Sequence, residues 1–357
     1  MGPIRDIHPV RLVVALSAMW LAGASPVAGQ DGRAAPTAFQ SARQTWSPPL
    51  TRFGHPDLQG VWVNKRATPF ERPAMLEGRQ SLTAAEVAEL EQRADRIFWD
   101  GGSDLVIGDR LFLTALDNPG RFINPNGANR SSAYMVEREF DTRTSLIVDP
   151  VDGRIPELTP VARQRRAEER RRATTLTGPE SFHNRTRCIT QGVPRVGPGP
   201  GGDPLYGYHQ IFQAPDHVVL LLEAFHDARI IPLDGRPPLS PRIRHWNGDS
   251  RGRWDGHTLV IETQNFSPKS RSLGAAGNLR MVERLTRVSP DTIEYEVTFD
   301  DPTTWTTTPW TAVIYLALTT DNIYEYGCHE SNAEPMTTML SIARMEEKAT
   351  AEAGIRD

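Results

Sequence analysis

Three stretches of the chain concentrate side chains able to do acid–base chemistry. The first is Glu223-Ala224-Phe225-His226-Asp227-Ala228-Arg229, set in a strongly apolar run. Read as one strand over 217–231, period-two alternation puts Val219, Leu221, Glu223, Phe225, Asp227, Arg229 and Ile231 on one face and His226 on the other. Ionisable groups in a row there are costly unless they pair or line a wet cavity. Two readings fit: an internal ion-pair ladder, or a polar patch in an apolar pocket where burial poises an acid or base.

The second stretch runs from Trp246 to Gly256. Within it, Gly248-Asp249-Ser250-Arg251-Gly252 matches the G-x-S-x-G nucleophile elbow. That elbow needs a helix after the serine, whereas His257-Thr258-Leu259-Val260-Ile261-Glu262 reads as a strand. The stretch is therefore expected to be a turn-rich connection, with Asp249 capping backbone amides and Trp246 and Trp254 packing a barrel rim. The third stretch, Tyr324 to Asn332, puts His329 and Glu330 beside Cys328 at the end of an expected strand over 322–328. A histidine held next to a carboxylate can act as a general base or a metal ligand, or the two can cap the helix that follows. HExxH is absent because position 333 is Ala.

These stretches define Asp227, Asp249, His329 and Glu330 as the candidate catalytic residues, with Glu223, His226, Arg229, Arg251, Trp246 and Trp254 as the candidate substrate-binding set. The expected activity is hydrolysis, elimination or isomerisation of a small, apolar or aromatic molecule in an aromatic-lined cavity. No organic cofactor is expected, since dinucleotide and phosphate fingerprints are missing; the Gly/Pro-rich run 192–202 lacks the Lys-Ser or Lys-Thr of a phosphate loop. Two other readings stay open. One is a non-catalytic protein that carries an apolar ligand in the same cavity. The other is a metal-dependent hydrolase using His226 and His329, with Asp227, although no metal ligand set is assigned.

The elements that must position these residues are mostly strands. Expected strands run over 208–213, 217–231, 257–265, 279–288, 291–299, 311–318 and 322–328, separated by Asp-Gly, Asn-Gly and Ser-Pro turn signals. With no helical period between them, the fold class is mainly β: an antiparallel meander forming a barrel or sandwich with a few peripheral helices. A helix is expected over 82–98, capped by Thr83 with Glu86 three residues on, and another opens at Thr159-Pro160. The second is rich in Arg163 to Arg172 and reads as a solvated polar helix. A first strand is expected at 58–63, another at 145–148, and a C-terminal helix over 335–349. The chain thus divides into a signal peptide (1–29), a disordered leader (30–50), a mixed segment with two helices (51–180), and an antiparallel β domain with a C-terminal helix (181–357).

The signal peptide is read from Arg5 and Arg11, the apolar run Leu12 to Ala24, and the small residues Ala22-Gly23-Ala24 and Val27-Ala28-Gly29. No later run is apolar enough to span a membrane, so a periplasmic or secreted location is expected. The two cysteines, Cys188 and Cys328, then most simply form one disulfide; a metal pair or a catalytic thiol are the rival readings. A formal charge of −4 argues against nucleic acid as a partner. Nothing in the sequence sets an oligomeric state.

Several of these stretches together resemble a large family of uncharacterised exported proteins of soil and aquatic bacteria such as acidobacteria and sphingomonads. The residues concerned are Pro56 to Trp62, Thr144 to Pro150, His226 to Pro232, Gly248 to Trp254, and Glu325-Tyr326-Gly327-Cys328-His329-Glu330. The resemblance implies export and covers nearly all of the chain after the signal peptide, but implies no activity. The chain departs from the pattern at Pro238, where the family has His, at His257 (Asp) and at Ser331 (Gly), and in the segment after Cys188.

Overall fold

The computed structural model describes residues 46–99, 110–117, 139–190, 192–194, 207–270, 273–275 and 277–354. The expected signal peptide, most of the leader and most of the Gly/Pro-rich run lie outside the described residues. The helices are α1 (Ala84–Trp99), α2 (Arg110–Asp117), α3 (Pro160–Thr174) and α4 (Cys328–Gly354). The strands are β1 (Gly60–Asn64), β2 (Ile147–Asp149), β3 (Tyr208–Gln213), β4 (His217–Leu222), β5 (Ala228–Pro232), β6 (Asp249–Asp255), β7 (Thr258–Gln264), β8 (Arg280–Ser289), β9 (Thr292–Asp300) and β10 (Trp310–Thr319).

The strands form one antiparallel sheet in the order β5-β4-β3-β1-β10-β9-β8-β7-β6, with β2 paired to β10 off this path. The expected mainly-β antiparallel class with peripheral helices is what the structure has. The edge strands β5 and β6 are not hydrogen-bonded to each other, so the sheet is an open barrel rather than a closed one. The edges nevertheless meet. A Cβ on Gly252 of β6 would stand 2.8 Å from the Ile231 side chain of β5 and 2.7 Å from that of Leu233, so only glycine permits this approach.

Alternation decides what faces inward. Trp310, Ala312, Ile314 and Leu316 of β10 are buried, as are Ile293, Tyr295, Val297 and Phe299 of β9 and Met281, Glu283 and Leu285 of β8. These residues form one continuous core with Trp62, Ile211, Leu220, Leu222 and Ile231, apart from the polar Glu283. β1 enters between β3 and β10, so the N-terminal segment contributes a strand to the same sheet; Trp62 stands opposite Leu318 on one side and His209 on the other. A smaller cluster that includes Leu82, Leu90, Phe112 and Phe140 lies under α1 and α2.

The expected caps are present. Thr83 Oγ1 accepts the Glu86 N–H at 3.3 Å, while the Glu86 carboxylate accepts the Thr83 N–H at 2.8 Å. Thr159 Oγ1 accepts the Ala162 N–H at 3.1 Å ahead of Pro160. Ala162 is the one buried residue of α3, in keeping with a solvated arginine-rich helix.

Three expectations are corrected. The strand expected over 217–231 is the hairpin β4–β5, broken by a tight turn in which Phe225 (φ 62°) and His226 (φ 51°) take left-handed backbone. The turn shifts the parity, so Val218, Leu220 and Leu222 are buried, and after it Arg229 and Ile231. The connection expected around Asp249 is strand β6, and Ser250 lies inside it rather than on an elbow. Residues 321–327 form no strand, and α4 begins at Cys328, well ahead of the expected Pro335.

Candidate functional site

The barrel interior holds a polar cluster that no single segment predicts. Arg229 faces inward because the β4–β5 turn sets its parity. Its Nη1 donates to Glu283 Oε1 at 2.9 Å and its Nη2 to Glu283 Oε2 at 2.5 Å, a two-point pair between β5 and β8. Nη2 also donates to Ser250 Oγ of β6 (3.0 Å) and Thr263 Oγ1 of β7 (3.1 Å), whose hydroxyls bond each other at 3.0 Å. The Tyr295 hydroxyl of β9 donates to Glu283 Oε1. The His209 ring of β3 meets the Tyr295 ring edge-on, with centroids 6.4 Å apart.

The electrostatics follow from burial. Desolvation and the neighbouring Glu283 charge hold the Tyr295 hydroxyl well above its usual pKa, so it stays protonated and donates. For Arg229, burial opposes the charged form, but Glu283 and Tyr295 outweigh it and the pKa rises. His209 Nδ1–H donates to the Gly207 carbonyl oxygen at 2.8 Å, which fixes the ring's orientation.

A cavity adjoins this cluster. Leu220, Leu222, Leu285 and Leu316 form much of its apolar wall, and Arg229, Tyr295 and His209 are the polar residues that line it. About 10 Å³ of it admits the centre of a water molecule. As it stands the interior closes around roughly one water, and anything larger must push side chains aside.

Of the residues singled out in the sequence, Arg229 lines this cavity; Asp227, Asp249, His329 and Glu330 do not. Asp227 Oδ2 accepts from Thr190 Oγ1 at 2.7 Å. Asp249 accepts the Leu239 N–H at 2.7 Å and is paired with Arg251 at 2.5 Å, bracing the loop before β6; Arg251 also reaches the Pro237 carbonyl. Glu223 accepts the Tyr324 N–H at 3.1 Å and His226 Nε2 the Tyr326 N–H at 3.0 Å. These two side chains thus clamp the segment that leads into α4, and burial raises the Glu223 carboxyl against the pull of that hydrogen bond and of His226. His329 and Glu330 are exposed in the first turn of α4. Trp246 is half-buried and its carbonyl accepts from Ser270 Oγ, while Trp254 stacks on His55 at 5.1 Å. The clamp is reinforced covalently: Cys188 and Cys328 form the expected disulfide, Cα atoms 5.8 Å apart across 140 residues of sequence.

Sequence reasoning missed His209, Thr263, Glu283 and Tyr295, and took Ser250 for part of a connection. Glu283 carried a signal: it falls between Met281 and Leu285 on the inward phase of an alternating strand, where an acid must have a partner. Among the described residues, no group of three or more His, Cys, Asp or Glu could hold a metal ion, and no helix is long and apolar enough to cross a membrane.

Fold and site define an open antiparallel barrel whose apolar interior carries a buried Arg229–Glu283 ion pair beside a narrow cavity. No family model, curated protein or solved structure matches the chain.

Proposed function

We propose that this protein, exported as its leader, its disulfide and its resemblance to exported bacterial proteins suggest, takes a small, largely apolar molecule into the barrel interior. The polar end of that molecule would lie against Arg229, Tyr295 and His209. The observation that carries the reading is the Arg229 Nε–H: it is buried, and no hydrogen-bond partner meets it among the described residues. A buried donor left unpaired costs about 1–3 kcal/mol, so it calls for an acceptor that arrives with a ligand. The leucine wall supplies apolar contact, as small-molecule sites do. Acid–base turnover of the bound molecule is the second reading, favoured by His209, whose ring lines the cavity edge-on to the protonated Tyr295.

The test is native mass spectrometry of protein purified from an exporting host, alongside Leu222→Trp, which fills the cavity. A small neutral mass released from the unaltered protein and missing from a folded Leu222→Trp variant is the expected result. Equal retention by both would place the ligand elsewhere and overturn the proposal. Turnover of the released compound, lost in His209→Gln with binding intact, would favour the enzymatic reading.

A further inference from the structure

We propose that the group entering the polar end of the cavity is an uncharged hydrogen-bond acceptor, the oxygen of a ketone, ester or ether, received by the Nε–H of Arg229. This inference rests on the barrel interior being a ligand site. Three features of the cluster lead to it.

The first is charge. Arg229 and Glu283 are paired one to one, with side-chain exposures of 7% and 0%. A ligand carboxylate would bring a second negative charge beside Glu283 into a low-dielectric interior, and an ammonium would face Arg229; neither finds a spare counter-charge. The second is the balance of donors and acceptors. Arg229 has five N–H donors. Both Glu283 oxygens already receive from it, one of them from Tyr295 too, and the Ser250 and Thr263 hydroxyls are engaged with Arg229 and with each other. None of these acceptors meets the Arg229 Nε–H, which is a buried donor without a partner among the described residues. A ligand hydroxyl would accept this proton but bring a donor of its own beside Glu283, Ser250 and Thr263 oxygens that are already engaged. The third is the wall: four leucines leave the rest of the ligand no polar partner there, so its body is hydrocarbon.

The test uses the intact, disulfide-bonded protein labelled with ¹⁵N-arginine and four six-carbon probes: 2-hexanone, 1-hexanol, hexanoate and hexylammonium. Affinity is read by titration and the contact by the Arg229 Nε–H correlation, assigned with Arg229→Lys or, should that variant unfold, by its protection from solvent exchange. The ketone is expected to bind about tenfold more tightly than the other three, the least that one extra unmet buried donor or charge costs them, and to shift that resonance. Tightest binding by hexanol, hexanoate or hexylammonium would overturn the inference and leave the interior a ligand site. Ketone binding without a shift of the Nε–H would do the same. Binding by none of the four would overturn both the inference and the ligand site beneath it.

Discussion

Replacing Glu283 with Gln tests whether the interior charge pair is as buried and as isolated as the geometry has it. The substitution keeps the shape of the side chain and an oxygen for the Tyr295 hydroxyl, so what it removes is the charge that balances Arg229. Glu283 is fully buried and the guanidinium nearly so, which leaves water little access to the orphaned cation. Breaking a buried pair from one side costs about 3–5 kcal/mol, against a total stability on the order of 5–15 kcal/mol for a domain. Urea melts at pH 7 should therefore show Glu283→Gln losing about 3–5 kcal/mol. The paired replacement Arg229→Met with Glu283→Leu removes both charges together and should fall within about 2 kcal/mol of the parent, giving a strongly non-additive cycle. A cost below about 1 kcal/mol for the single variant, or additivity in the cycle, would refute the reasoning, because either outcome requires solvent or another partner to reach Arg229.

Two further outcomes follow from the same interior and its tether. Burial, and next the Glu283 charge, raise the Tyr295 pKa above its usual 10, so above about pH 10 the unfolded chain sheds a proton that the folded chain keeps. Stability from this group is intact below pH 10 and falls as pH rises above it, by up to about 1.4 kcal/mol per unit; Tyr295→Phe should remove that part of the slope, and identical alkaline profiles for the two proteins would count against it. Reducing the Cys188–Cys328 bridge, or replacing both cysteines with Ser, opens a tie across 140 residues and should cost about 3–5 kcal/mol in urea melts; a loss under about 1 kcal/mol would mean that the Glu223 and His226 clamp holds this end of the barrel without it.

Much of the fold was legible in the residues themselves. β3 and β7 to β10 announce themselves by alternation and by the turns between them, and α1 and α3 by their caps, because each signal depends on neighbours a few positions away. With only two cysteines in the chain, an oxidised state allowed one intramolecular pairing, and the structure has it.

The site was legible only in part. Arg229 drew attention as an ion in an apolar run, but of its expected partners Glu223 lies across a turn that Phe225 and His226 make in left-handed backbone, a conformation no residue type there announces, and Asp227 accepts from Thr190. Its actual partner, Glu283, is 54 residues away on β8. Alternation states that a side chain points inward, not which inward-pointing side chain it will meet. That choice belongs to the curl of the sheet, which brings β5 against β6 at Gly252 and so aims Arg229 across the interior. The sequence by itself determined the class of fold, the helix caps and a chain able to close one disulfide. Tertiary structure decided which charge is buried against which, because pairing across a barrel is set by sheet order and curvature, to which every strand contributes and which none encodes alone.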